Sequence, residues 1–231
     1  HKDVSYSEIE TKKVKRKASI TKNEHVRNLL SQAHSNKVLF DWVLADNWFG
    51  AKENLEYINN VIKKKFIIGI KSNRTVALSE KEKLKGDFTK VSKLDLEDGQ
   101  SIEVWVKGID FALQLIKKVF TNEDGSTGIL YIISNDLKHD ADYLYIIYQK
   151  RWKIELYHKS IKQNASLAAS PTKRVLSQAN HIFSSLVAFC KLELLKIKTA
   201  ANHFAIKHLL LLKANQAAFS ELQSLKNSSC A

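Results

Sequence analysis

Between residues 20 and 74 the hydrophobic positions change their period three times. Val26, Leu29 and Leu30 are spaced for one face of a helix from Lys22 to about Ala33, which Thr21 can cap with Glu24 in its first turn. Lys37 to Asp46 then reads as a buried strand. Helical spacing returns from Asn54 to Lys65 at Leu55, Ile58, Val61 and Ile62, and Phe66 to Ile70 is a second apolar strand run. Strand, helix, strand predicts a parallel βαβ unit. From Thr75 to Asn135 the pattern alternates instead, with Ile102, Val104 and Val106 on one face and two runs flanking the turn-like segment 122–128. Beyond Asp136 the chain reads as helical: about Asp142 to Gln163, Lys173 to Lys198 and Asn202 to Lys226, with Pro171 punctuating the first gap. The expected class is therefore α/β. Its divisions are a basic N-terminal remnant over 1–20, a partial core over 21–74, a β-rich insertion over 75–136, a core helix over 137–170 and C-terminal helices over 171–231.

Composition narrows the partners. With 231 residues and 44% hydrophobic content the chain can bury a substantial core. Lys and Arg outnumber Asp and Glu by 37 to 24, and the resulting +13 favours polyanions: nucleic acid first, although acidic lipids attract the same patches. The run Lys12, Lys13, Lys15, Arg16, Lys17 reads as a strand remnant or a solvated arm. A membrane span is not expected, because the most apolar stretch, His181 to Leu195, is broken by Lys191 and Glu193 and falls short of about 20 residues. Cys190 and Cys230 form no CxxC pair, which argues against a zinc knuckle or a disulfide scaffold and fits a reducing, cytoplasmic setting.

The helix expected over 142–163 adds candidate chemistry. At 100° per residue, with Tyr148 at zero, Arg151 falls at about −60°, Glu155 at about −20° and Lys162 at about −40°. These four polar groups share a narrow face, while Ile146, Ile147, Ile154, Tyr157 and Ile161 cluster roughly 115° away, where they can pack on a sheet while the polar row looks outward. The row spans about 21 Å, a length suited to several phosphates of a nucleic-acid backbone. A solvated face with an ordinary Arg151–Glu155 ion pair has the same spacing.

Tyr148-x2-Arg151-x3-Glu155-x6-Lys162 matches at every interval the Y-(2)-R-(3)-E-(6)-K signature of bacterial DDE transposases of the insertion-sequence-four type. The segment Val43-Leu44-Ala45-Asp46-Asn47-Trp48-Phe49 resembles the strand end that carries that family's second catalytic aspartate. Looser similarity covers 21–24 and 71–74. The resemblance implies a ribonuclease H-like core with a β-rich insertion and a C-terminal helical region. It also implies Mg²⁺ (or Mn²⁺) held by two aspartates and a glutamate, of which Asp46 and Glu155 would be two; hard carboxylate oxygens suit such a metal. Tyr148, Arg151 and Lys162 would then hold DNA near the scissile phosphate, with Lys71 and Arg74 contacting the backbone beside it or lying in a solvated loop. Asp46 taken alone would read as a turn or helix cap, Trp48 and Phe49 as core residues. Trp105 on the alternating strand reads as packing before base stacking.

The family's first aspartate finds no clear counterpart before Asp46. Asp41 is an odd offset from Asp46 on the expected strand, which sends the two side chains to opposite faces. Asp3 has no apolar run before it. Since the chain also contains no Met, an N-terminally truncated transposase is expected. Two functions follow: a transposase fragment whose parent cuts and joins DNA at transposon ends, or a catalytically inactive DNA-binding remnant lacking the first Asp. Either would have transposon-end and target DNA as its partner, with a homo-oligomer on DNA and a nucleoid-associated location as further expectations.

Overall fold

The computed structural model describes residues 4–7, 15–170 and 173–228; for 4–7, 15–18, 227 and 228 it describes the backbone path alone. Asp3, Lys12, Lys13, Pro171 and Cys230 lie outside the described residues. The chain divides into two compact units, His1–Arg151 and Trp152–Ala231.

In the first unit, β1 (Val4–Ser7) and β2 (Lys15–Ala18) pair antiparallel as a separate ribbon. Helix α1 (Lys22–Ser35) starts where expected, on a reciprocal cap: the Glu24 amide donates to Thr21 Oγ1 at 3.2 Å, and the Thr21 amide donates to Glu24 Oε2 at 2.9 Å. The strand expected over 37–46 is confined to β3 (Trp42–Ala45), and none of its residues is fully buried. Leu39 is 98% exposed and Lys37 takes a left-handed backbone, so the chain is still turning before β3. An edge position accounts for the rest: among the described residues β3 pairs only with β4 (Lys65–Ile70), in parallel, and a strand with one neighbour is covered on fewer sides.

The connection between β3 and β4 is helical, as the parallel unit requires, but its type changes midway. Helix α2 (Lys52–Glu56) passes into a π-helical segment at Tyr57–Ile62, which ends on a left-handed Lys63. Hydrogen bonding from i to i+5 widens the turn, so 3.6-residue spacing stops tracking one face. Leu55, Ile58 and Ile62 are buried, whereas Val61, expected in the core, is 60% exposed.

Residues 75–136 supply β5 (Thr75–Ala77), the short α3 (Glu80–Lys85), β6 (Thr89–Lys90), β7 (Ser101–Val106), β8 (Leu113–Thr121) and β9 (Thr127–Ser134). The turn at 122–128 joins β8 to β9 as a hairpin, with Gly125 in the left-handed conformation and the Asn122 amide donating to the Ser126 carbonyl at 2.8 Å. These strands do not stand apart from the βαβ unit. All seven strands β3 to β9 form one mixed sheet in the order β3-β4-β9-β8-β7-β5-β6, with β9 antiparallel to β4. One face packs Leu55, Ile58, Phe66, Ile68, Val104, Leu113 and Ile133; the other packs Ile67, Ile116 and Ile132 against α4 (Ala141–Gln149).

At the end of the sheet where β4 begins, Asp136 is 3% exposed. Burial pushes its carboxyl pKa up, but hydrogen bonds outweigh that and hold it at about 2. Lys65 Nζ donates at 2.6 Å, the Lys138 amide donates at 2.9 Å, and His139 Nδ1 lies at 2.7 Å. Because the folded pKa lies below the ordinary 3.8, the carboxylate's contribution is complete above about pH 4 and is lost as pH falls towards 2. Asp136→Asn should therefore lower stability at pH 7 by about 2 kcal/mol, with the gap from the parent narrowing between pH 4 and pH 2. Urea midpoints across that range test it, and a gap independent of pH would contradict it.

The second unit opens with α5 (Lys153–Gln163), followed by α6 (Val175–Thr199) and α7 (His203–Ser228), the last two close to the expected bounds. A buried polar contact ties the three together. Ser160 Oγ of α5 lies 2.7 Å from His203 Nδ1 at the start of α7, whose Nε2 is 3.2 Å from Glu193 Oε1 of α6. Among the described residues, no helix is long and apolar enough to cross a membrane.

Candidate functional site

Asp46 follows the last residue of β3, at the carboxyl end of a parallel strand pair, where open α/β sheets tend to present their chemistry. Its Oδ1 accepts from the Trp48 amide at 2.9 Å, so the turn-capping role that the sequence allows is real. One such bond leaves a carboxylate with further acceptor capacity. Asp41 precedes β3 rather than lying on it and is exposed, at the opposite end of the strand from Asp46.

The loop after Asp46 is fixed from three sides. A Cβ built on Gly69 of β4 would lie 2.8 Å from the Asn47 amide nitrogen, and one on Gly50 would lie 2.9 Å from the Gly69 carbonyl oxygen. Asn54 at the start of α2 is fully buried: its Oδ1 accepts from Arg27 at 2.8 Å, and its Nδ2 donates to Asn23 Oδ1 at 2.9 Å and to the Phe49 carbonyl at 3.0 Å. Arg74 Nη2 donates to the Gly50 carbonyl at 2.9 Å. Arg74, expected as a DNA contact, thus holds the loop, while Lys71 is exposed beside it.

The helix expected over 142–163 is not continuous. A 3₁₀ turn at Lys150–Trp152 separates α4 from α5. Its residues advance about 120° each instead of 100°, so the wheel drawn for one unbroken helix, and the 21 Å row, do not extend across it. Tyr148 and Arg151 belong to the first unit, Glu155 and Lys162 to the second. Tyr148 does not face outward: it is 4% exposed and packs with Leu144, Ile147 and the β4 and β9 isoleucines. Burial raises its hydroxyl pKa, and the Asp46 charge adds to that; the hydrogen bond and charge of Arg151 oppose it. The Arg151 guanidinium carbon lies 5.6 Å from the centre of the Tyr148 ring. Asp46, distant in sequence, is thus near enough to Tyr148 for its charge to act on that hydroxyl.

On α5, Glu155 lies in the first turn and Lys162 in the last, both exposed and about 10 Å apart along the axis. Ile147 and Ile161 are buried as expected, but Ile146 is 59% and Ile154 48% exposed. Trp48, expected in the core, is 67% exposed, and Trp105 is half-buried.

Among the described residues, no three His, Cys, Asp or Glu side chains gather as a metal site. The described side chains do not complete the two-aspartate-and-glutamate set. Asn54 and Gly69 are the supporting residues that sequence reasoning passed over. Both carried a signal: Asn54 lies four residues before buried Ile58 on the same helical stripe, and Gly69 interrupts an apolar strand run, which often marks close backbone approach.

The family model described as the transposase DDE domain matches residues 6–190, most of the chain. The chain belongs to the transposase DDE domain family. That membership ties it to DNA transposition, to nuclease-type enzyme activity and to DNA as partner. Comparison with curated proteins finds no match.

Proposed function

We propose that this chain is the insertion-sequence-four type of DDE transposase, built on a ribonuclease H-like core, and that its parent cuts and joins DNA at transposon ends. What carries the reading is Asp46 at the carboxyl end of a parallel strand pair, together with the Tyr148–Arg151 contact of the Y-(2)-R-(3)-E-(6)-K signature. In this reading Asp46 and Glu155 are the catalytic carboxylates. Arg151, Lys162 and Lys71 engage phosphates, Tyr148 orients Arg151, and Arg74 acts through the loop it holds. Mg²⁺ or Mn²⁺ is the metal the signature implies, with Asp46 and Glu155 as its ligands. The exposed leucines 209–212 of α7 offer an apolar surface for a homo-oligomer on DNA, and the cytoplasm, at the nucleoid, is the setting.

The test is strand nicking of a duplex carrying the element's terminal repeat, in Mg²⁺ buffer, by the chain and its Glu155→Ala variant. Nicking that this variant loses supports the reading. Salt-sensitive binding without nicking supports the other one, a catalytically inactive DNA-binding remnant, and no DNA binding at moderate salt overturns both. Lys71→Ala and Lys162→Ala should each reduce the slope of log affinity against log salt by about one unit.

A further inference from the structure

Trp48 combines an exposed indole with a backbone that has little freedom to move. Its amide is bonded to Asp46, its neighbour Asn47 is pressed against Gly69, and Gly50 two residues on is held by Arg74 and by close approach to β4. Yet the ring is 67% exposed. Two cations from separate elements converge on it: Lys22 Nζ of α1 lies 5.4 Å from the ring centre and Lys71 Nζ, just after β4, lies 5.7 Å away. A cavity of about 180 Å³ opens beside the ring, lined also by Asn47, Gly50, Ala51 and Arg74.

Two exposed cation–π contacts are a small return for leaving so large an apolar ring in water. The arrangement suits a different occupant. An indole face accepts any nucleobase by stacking, and lysines beside it suit the phosphates flanking that base. A paired base inside a duplex hides its faces in the stack, so only an unpaired base can use such a ring.

We propose that Trp48, with Lys22 and Lys71, forms a stacking site for one unpaired nucleobase of the DNA strand passing Asp46. A base held there fixes the strand's register two residues from the carboxylate, which makes Trp48 a positioning residue. The rigid loop means that little ordering cost is incurred on binding.

The inference rests on the DNA-binding reading above, and its test separates the two. Affinities are measured by fluorescence anisotropy for a fully paired terminal-repeat duplex and for the same duplex with a single unpaired 2-aminopurine at its cleavage end. The wild-type chain should prefer the second by about 10-fold, the value of one base–aromatic stack, with quenching of the 2-aminopurine. Trp48→Ala should bring that ratio to about one and abolish the quenching, and Trp48→Phe should retain both in part. Since the ring is exposed, circular dichroism and the urea midpoint of Trp48→Ala should match the parent. Equal ratios for wild type and Trp48→Ala, with both DNAs bound, overturn the stacking site and leave the DNA-binding reading standing; no binding of either duplex by wild type overturns both.

Discussion

Replacing Asn54 with leucine is expected to lower the stability of the sheet-containing unit by about 3 kcal/mol. The substitution fits the site by size and helix propensity, so the loss reports its hydrogen bonds. Removing the side-chain amide leaves the partly buried Asn23 carboxamide, Arg27 guanidinium and Phe49 carbonyl without the partner that the fully buried Asn54 gives each. Each unsatisfied buried group costs about 1–3 kcal/mol, and the charged Arg27 lies at the upper end. Relaxation of α1 towards solvent returns part of that, which brings the sum to about 3. Hydrogen exchange at the β4 amides and the urea midpoint read the effect. Val61→Ala is the control: it removes a larger share of apolar side chain, but from the outer side of the π-helical turn, and should cost less than about 0.5 kcal/mol. A ranking with Val61 the costlier of the two would restore the uniform helical stripe that the sequence suggests.

That contrast shows where the chain's pattern is informative. Period and capping place elements well when short-range physics decides them: Thr21 and Glu24 close α1 by reciprocal hydrogen bonds, and the glycine at 125 turns the β8–β9 hairpin. They fail where long-range pairing decides. Nothing between residues 127 and 134 says that β9 inserts beside β4, which makes the alternating strands part of the same sheet as the βαβ unit. The candidate site divides the same way. Arg151, Glu155 and Lys162 are read from the signature, because it is a spacing within one segment, and Asp46 from the separate segment 43–49. The burial of Tyr148 is not, because one 3₁₀ turn at Lys150–Trp152 breaks the rotation on which its outward placement relied. The exposure of Trp48 is hidden for the opposite reason: large aromatic residues usually enter cores, and this one is held out on a loop whose rigidity comes from glycines and an arginine.

The rigidity of that loop leads to the second large effect. Gly69→Ala should cost about 2 kcal/mol and Gly69→Val about 3, and both should weaken DNA binding, because the added carbon meets backbone instead of a mobile side chain. The Asn47 nitrogen would lie 2.8 Å from the new Cβ and the Asn47 Cα 3.3 Å, so the chain between Asp46 and Trp48 must move. Gly69 lies inside a strand, flanked by buried Ile68 and Ile70, which leaves β4 little room to yield instead. Gly50→Ala presses on the same interface from the other side, 2.9 Å from the Gly69 carbonyl oxygen, so the double variant should cost less than the two single losses added. Gly86→Ala separates loss of stability from displacement of the site. Gly86 ends α3 at φ +82° with nothing within 4 Å of an added Cβ, so alanine there suffers only the left-handed backbone penalty of about 1–2 kcal/mol. It should lower the urea midpoint comparably to Gly69→Ala while keeping full DNA affinity at temperatures where both variants are folded. Equal affinity losses for the two glycines would mean that the Asp46 loop responds to global stability; a loss confined to Gly69 would tie recognition to the placement of Asp46, Asn47 and Trp48.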